Sequence, residues 1–130
     1  MSNWTHIAAV IRIDDWRHKV GEHPDFDILI GKECLFHSSN EKWSDAEQNP
    51  DKYLPMGSEG TLQKSVWINP KTYDVPRYTV SIFGDLRDHD NPQEIIDWFQ
   101  KICNKQNLIR NAVITVSNER NGELTWTWSK

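Results

Sequence analysis

Between residues 5 and 13 the side chains alternate. Ile7, Ala9, Ile11 and Ile13 fall on one side, and His6, Ala8, Val10 and Arg12 on the other. That is the period of a β-strand. Ala8 and Val10 place apolar groups on the second side too, which predicts an interior strand. Asp14-Asp15 ends it. A second alternating run covers 61–69, a third 78–86 and a fourth 110–118. The fifth, 123–129, sets Leu124, Trp126 and Trp128 against Thr125, Thr127 and Ser129. One segment has the helical period instead. Ile95, Ile96, Trp98, Phe99, Ile102 and Cys103 recur at three- and four-residue spacing after Asp90-Asn91-Pro92-Gln93-Glu94. That start combines capping residues, proline and an acid in the first turn, and predicts a helix over 91–104.

The other segments read less clearly. Pro24, Asp25 and Asp27 before Ile28-Leu29-Ile30, with Gly31 after them, predict a short helix, and a short strand competes for the same apolar run. Residues 38–60 are polar, contain Pro50, Pro55, Gly57 and Gly60, and have no period. Such a length without regular structure predicts a functional loop or a lid held down by Trp43, Tyr53, Leu54 and Met56. Asn121-Gly122 predicts a hairpin between the last two strands. The fold class expected is α+β: an antiparallel sheet of about five strands with one or two helices on one face. The order strand, helix, strand, strand, helix, strand is βαββαβ, the ferredoxin-like arrangement, with a C-terminal β-hairpin added. Element order is an architectural analogy and carries no function. The expectation is a single α+β domain over 1–130, with the irregular loop at 38–60.

Composition narrows the class. Lys plus Arg is 15 and Asp plus Glu is 19, so the formal charge is -4. An acidic chain does not suit broad nucleic-acid binding, which needs a basic face to neutralise phosphates, although a small basic site is compatible with it. Cys34 and Cys103 are too few for a disulfide framework or an all-cysteine zinc site. No apolar run reaches the length of a membrane span. The first residues have no basic segment leading into an apolar one. The expected location is therefore cytoplasmic, with no membrane partner.

Seven tryptophans in 130 residues exceed what one core needs. Indoles left half exposed anchor partners or stack on flat ligands. The candidate binding residues are Trp43, Tyr53, Trp67, Trp126, Trp128 and Arg87. Two readings of Trp126 and Trp128 stand: core packing on the helix that carries Trp98 and Phe99, or an outward-facing patch. Trp67 lies opposite the Leu62, Lys64, Val66 and Ile68 side of its strand and raises the same question for the other side of the sheet.

Asp85, Arg87, Asp88, His89 and Asp90 form the densest polar cluster. Carboxylates beside a histidine suit a metal or a general base, while acids before a helix are also what its dipole favours. The cluster is read as capping and solvated charge. Gly57-Ser58-Glu59-Gly60 is read as a tight turn, because phosphate loops lead into helices and this segment leads into a strand. His18, Glu22 and His23 are read as surface residues. Cys34 with His37 lacks a third orienting group.

The resulting expectation is a non-catalytic binding module acting through an exposed aromatic surface. It has no cofactor and no metal, and its partner is itself as a homo-oligomer, another protein or a small flat ligand. The alternatives are a small-ligand protein in which tryptophans and Arg12, Arg77 or Arg87 clamp a nucleotide-like anion, and a small metal-dependent or hydrolytic enzyme using Asp85, Asp88 and His89.

Overall fold

The computed structural model describes residues 3–14, 24–33, 48–68, 77–89, 91–105 and 108–129. Their frame is a five-stranded antiparallel sheet made of β1 (Trp4–Asp14), β2 (Leu62–Ile68), β3 (Arg77–Arg87), β4 (Ile109–Asn118) and β5 (Gly122–Ser129). The strands lie in the order β2-β3-β1-β4-β5, and every pairing is antiparallel. The α+β class is therefore present. The first helix, α1, is a single turn, Phe26–Leu29, and the second, α2, runs from Pro92 to Lys105.

Alternation sets the inner face. Ile7, Ala9, Ile11 and Ile13 of β1 are buried together with Tyr78, Val80, Ile82 and Leu86 of β3 and Ala112, Ile114 and Val116 of β4. β1 is interior in the ladder, between β3 and β4. Its second side is open, however: His6, Ala8, Val10 and Arg12 are all exposed. Apolar residues on both sides of β1 thus mark its central place in the sheet, and among the described elements one layer covers it.

α2 covers the inner face with Ile95, Ile96, Phe99, Ile102 and Cys103. It starts at Asn91, whose side-chain Oδ1 accepts from the Gln93 N–H at 3.1 Å. Glu94 and Lys105 sit at the helix ends where the dipole favours them. Trp126 and Trp128 extend this inner layer, since they pair with Ile114 and Ala112. Trp126 meets the edge of Phe99 with ring centroids 5.8 Å apart at 89°. Of the two readings of this pair, core packing describes their position, and neither indole lies on the open face.

The segments without periodicity are held by specific contacts. In α1 the Asp25 carboxylate caps the Asp27 and Ile28 N–H groups at 3.0 and 3.3 Å. Phe26 packs edge-on against Tyr78. A 3-10 turn over Pro50–Lys52 leads to Tyr53, and the Lys32 and Leu54 amides join the two segments. Tyr53 is 5 % exposed and Leu54 2 %. This corrects the expectation for Tyr53, which belongs to the core and not to an exposed aromatic surface. Trp43 and the remainder of 38–47 lie outside the described residues, as do Trp16, His18, Glu22, His23, Cys34, His37 and Asp90.

The β4–β5 turn uses three residues, 119–121, with Gly122 at φ 86° closing it. The expected Asn121-Gly122 signal therefore marks a longer turn with a left-handed glycine. Asn118 stabilises it. Its Oδ1 accepts from the Arg120 and Asn121 amides at 3.0 and 2.8 Å. Its Nδ2 donates to Thr5 Oγ1 at 2.8 Å, and Thr5 in turn donates to the His89 carbonyl at 2.6 Å.

Candidate functional site

The face of the sheet turned away from α2 is built from the even positions of β1 and their cross-strand neighbours. His6 stands between Asp85 and Ser117, Ala8 between Phe83 and Thr115, Val10 between Ser81 and Val113, and Arg12 between Thr79 and Asn111. β2 adds Gln63, Ser65 and Trp67 at one edge, and β5 adds Glu123, Thr125 and Thr127 at the other. Trp67 is 57 % exposed, Phe83 48 %, Val10 44 % and Val113 38 %. Phe83, Ala8, Val10 and Val113 are contiguous through direct cross-strand pairs and neighbouring positions of β1. No described element covers this apolar centre, and serine and threonine surround it.

The ends of this face differ in charge. At one end Asp85 and Glu123 flank His6, whose Nδ1 lies 2.6 Å from Asp85 Oδ1. At the other, three arginines gather on one carboxylate. Asp14 takes Arg110 at 2.8 Å, Arg12 at 3.8 Å and Arg77 at 3.9 Å. Among the described residues, three cations against one anion leave that end positive. Trp67 occupies the same cross-strand row as Arg12, with Thr79 between them.

A row of Asp85, His6 and Ser117 invites comparison with a hydrolytic triad. The histidine is oriented by the carboxylate, as such a site requires. The surroundings lack the next requirement. These strand amides belong to the sheet ladder, which leaves no described pair of N–H groups aimed at an oxyanion. A shallow hollow of about 330 Å³ lies over these residues and Phe83, and it is open sheet surface.

Within the cluster predicted around 85–90, Asp85 faces the open side beside His6, while Asp88, Arg87 and His89 bond to neighbouring segments. Ser58 Oγ donates to Asp88 Oδ2 at 2.8 Å, and the Asp88 N–H donates to the Asn3 carbonyl at 2.7 Å. The Ser58 hydroxyl holds the Asp88 carboxyl below its ordinary value, with the Asn3 backbone, Arg87 and Arg120 acting in the same direction. Arg87 is occupied by Glu59 at 2.8 Å. It clamps the 57–60 turn at the end of the open face, where it pairs with Trp4 in the row beyond His6 and Asp85. The turn itself lies against β3: a Cβ on Gly60 would come within 2.0 Å of the Asp85 carbonyl oxygen. His89 contributes its carbonyl to Thr5 and Asn118. Among the described residues no group of three or more His, Cys, Asp or Glu side chains is arranged to hold a metal ion.

A larger hollow of about 550 Å³ is bounded by Asp27, Lys32, Glu33, Tyr53 and Lys64. Its polar groups pair with one another. Lys64 Nζ reaches Asp27 Oδ1 at 2.5 Å and the Gly31 carbonyl at 2.6 Å, while the Lys64 amide donates to Glu33. The hollow is larger than the open face's own depression, but its charges are already committed.

Of the predicted binding residues, Trp67 stands on the open face and Arg87 at its end. Tyr53, Trp126 and Trp128 serve the core, Arg87 serves a turn, and Trp43 is outside the described residues. The face's other members, Phe83, Val10, Val113 and His6, were legible as the alternate side of their strands. What the sequence lacked was the strand order that makes them neighbours. No helix among the described residues is long and apolar enough to cross a membrane. Comparison with family models, curated proteins and solved structures finds no match.

Proposed function

We propose that the protein is a non-catalytic binding module that acts through the open face of its sheet. One observation supports this above the others: a contiguous apolar centre of Phe83, Ala8, Val10 and Val113, with Trp67 at its margin, is left uncovered by every described element. An apolar centre with a serine and threonine rim is the anatomy of a protein interface. The ferredoxin-like reading of the scaffold belongs with this proposal. The positions of β1 to β4 are compatible with it, whereas the one-turn α1 and the added β5 depart from it.

Photo-crosslinking in expressing cells tests the proposal. A benzophenone side chain is placed at Trp67 or Phe83, and at Lys101 on exposed α2 as the control. Discrete adducts from 67 and 83 and none from 101 are expected. Absence of adducts from the sheet face, or equal adducts from α2, overturns the reading.

A second reading draws on the arginines around Asp14 and on Trp67 in the row of Arg12. An indole beside guanidinium groups suits a flat anion. Saturable quenching of tryptophan fluorescence by a nucleoside phosphate, lost in Trp67→Ala, supports it; no quenching at millimolar nucleotide removes it.

A further inference from the structure

The geometry points to a second copy of this chain as the occupant of the open face, packed sheet to sheet about a two-fold axis that runs across the strands. The inference rests on the binding-module reading and adds the partner and its orientation.

Charge selects the orientation. Face-to-face packing of two identical sheets permits a two-fold axis along the strands or across them. An axis along the strands stacks like on like. Asp85 and Glu123 of the two copies then share one end of the contact, and Arg12, on the axis strand, meets its own copy at the other. An axis across the strands reverses one copy end for end. It brings the Asp85 and Glu123 end of one copy over the Arg12, Arg77 and Arg110 end of the other, twice by symmetry. Among the described residues the groups facing this contact are His6, Asp85, Glu123, Arg12, Asp14, Arg77 and Arg110, with Arg87 tied to Glu59 at the acidic end, and the positive surplus at one end answers the negative surplus at the other.

The apolar positions agree. The axis passes through β1, the central strand, between Ala8 and Val10. Phe83 and Val113 then lie inside the contact, and Trp67 covers the far margin of the partner's β2. Area agrees as well. Five strands at ~4.8 Å spacing, over rows reaching from His6 to Asp14, give a footprint of about 600 Å² per copy. Two copies bury about 1,200 Å², the lower bound for a specific interface. Side chains of alanine, serine, threonine and valine keep the face flat enough for two sheets to approach to ~10 Å.

Sedimentation equilibrium of the full chain at low salt, together with a charge-swap series, tests the proposal. The expected mass is twice the 15.3 kDa of one chain. Asp85→Arg and Arg12→Asp should each weaken self-association at least tenfold, and the two together should restore it to within threefold. Phe83→Lys, at an exposed position in the centre of the face, should abolish association whatever the orientation. It keeps the test decisive if a swap variant fails to fold, as circular dichroism would reveal. A monomer at 100 μM overturns the proposal. So does a dimer indifferent to Phe83→Lys, or a double swap as weak as the singles. A monomer whose sheet face still gives cross-links to another molecule overturns self-association alone and leaves the binding-module reading standing. A dimer with no cross-links from that face overturns both.

Discussion

Asn118 is the residue whose loss reaches furthest. It is buried, and it satisfies the Thr5 hydroxyl, the His89 carbonyl and two turn amides. Asn118→Ala removes those partners at once. Leaving buried polar groups unpaired costs about 1–3 kcal/mol, so urea unfolding should reveal a loss of at least that size with an unchanged m-value. Cys103 tests burial differently. Desolvation pushes its thiol up to about 12. A raised folded value means that the folded state keeps the proton longer than the unfolded chain does. Its contribution to stability is whole below the unfolded cysteine value of about 8.5 and is lost as pH rises from there through about 12. In a Cys34→Ser background, the remaining thiol should resist a disulfide reagent at pH 8 in the native protein and react at once in denaturant. Fast native labelling would place Cys103 at the surface.

At the scale of elements, the periodic segments were legible because each buries one face. The 91–104 helix, the β1 alternation and the paired strands all follow from spacing alone. Segment 24–31 was ambiguous for a physical reason. A four-residue turn is too short to display a period, and α1 is fixed by the Asp25 cap and by Phe26 against Tyr78, contacts that depend on tertiary structure. The roles of Trp126 and Trp128 were likewise undecidable from sequence, because an indole on a strand is inside or outside according to which side α2 covers, and Tyr53 is buried by a tertiary pairing of its segment with Lys32 that no periodicity displays. The contact between α2 and β5 gives the sharpest test of that arrangement. Phe99 is fully buried and meets Trp126 edge to face. Phe99→Ala should cost about 3–5 kcal/mol and alter the tryptophan emission of the folded state. An unchanged midpoint would mean that the helix lies in another register.

Across the whole molecule the described elements cover the sheet on one side only, so the core and the proposed binding surface lie on opposite faces. Val10→Thr and Phe83→Ser alter exposed side chains that no described element packs upon. Each should move the unfolding free energy of the monomer by less than about 0.5 kcal/mol, measured at concentrations too low for association. Phe99→Ala and Phe83→Ser thus form a pair: the same residue type, large effect inside, negligible effect outside. A large loss for Phe83→Ser would mean that the open face is covered by the chain itself.

The two edges of the sheet are not equivalent, and amide hydrogen exchange should report it. Along β2 the Lys64 amide donates to Glu33, and the Lys64 ammonium ties the strand to Asp27 and Gly31. At its start, the 57–60 turn is bonded to Arg87 through both backbone directions. On its far side β5 has no described strand as a partner, and it is held through Trp126 and Trp128 against the inner layer. Deuterium should therefore enter β5 first and β2 later, while β1, laddered on both sides, exchanges only with global unfolding. The strand β5, Gly122–Ser129, is consequently the part of the sheet expected to open first, and among the described strands it is the edge opposite β2 at which an added chain would pair.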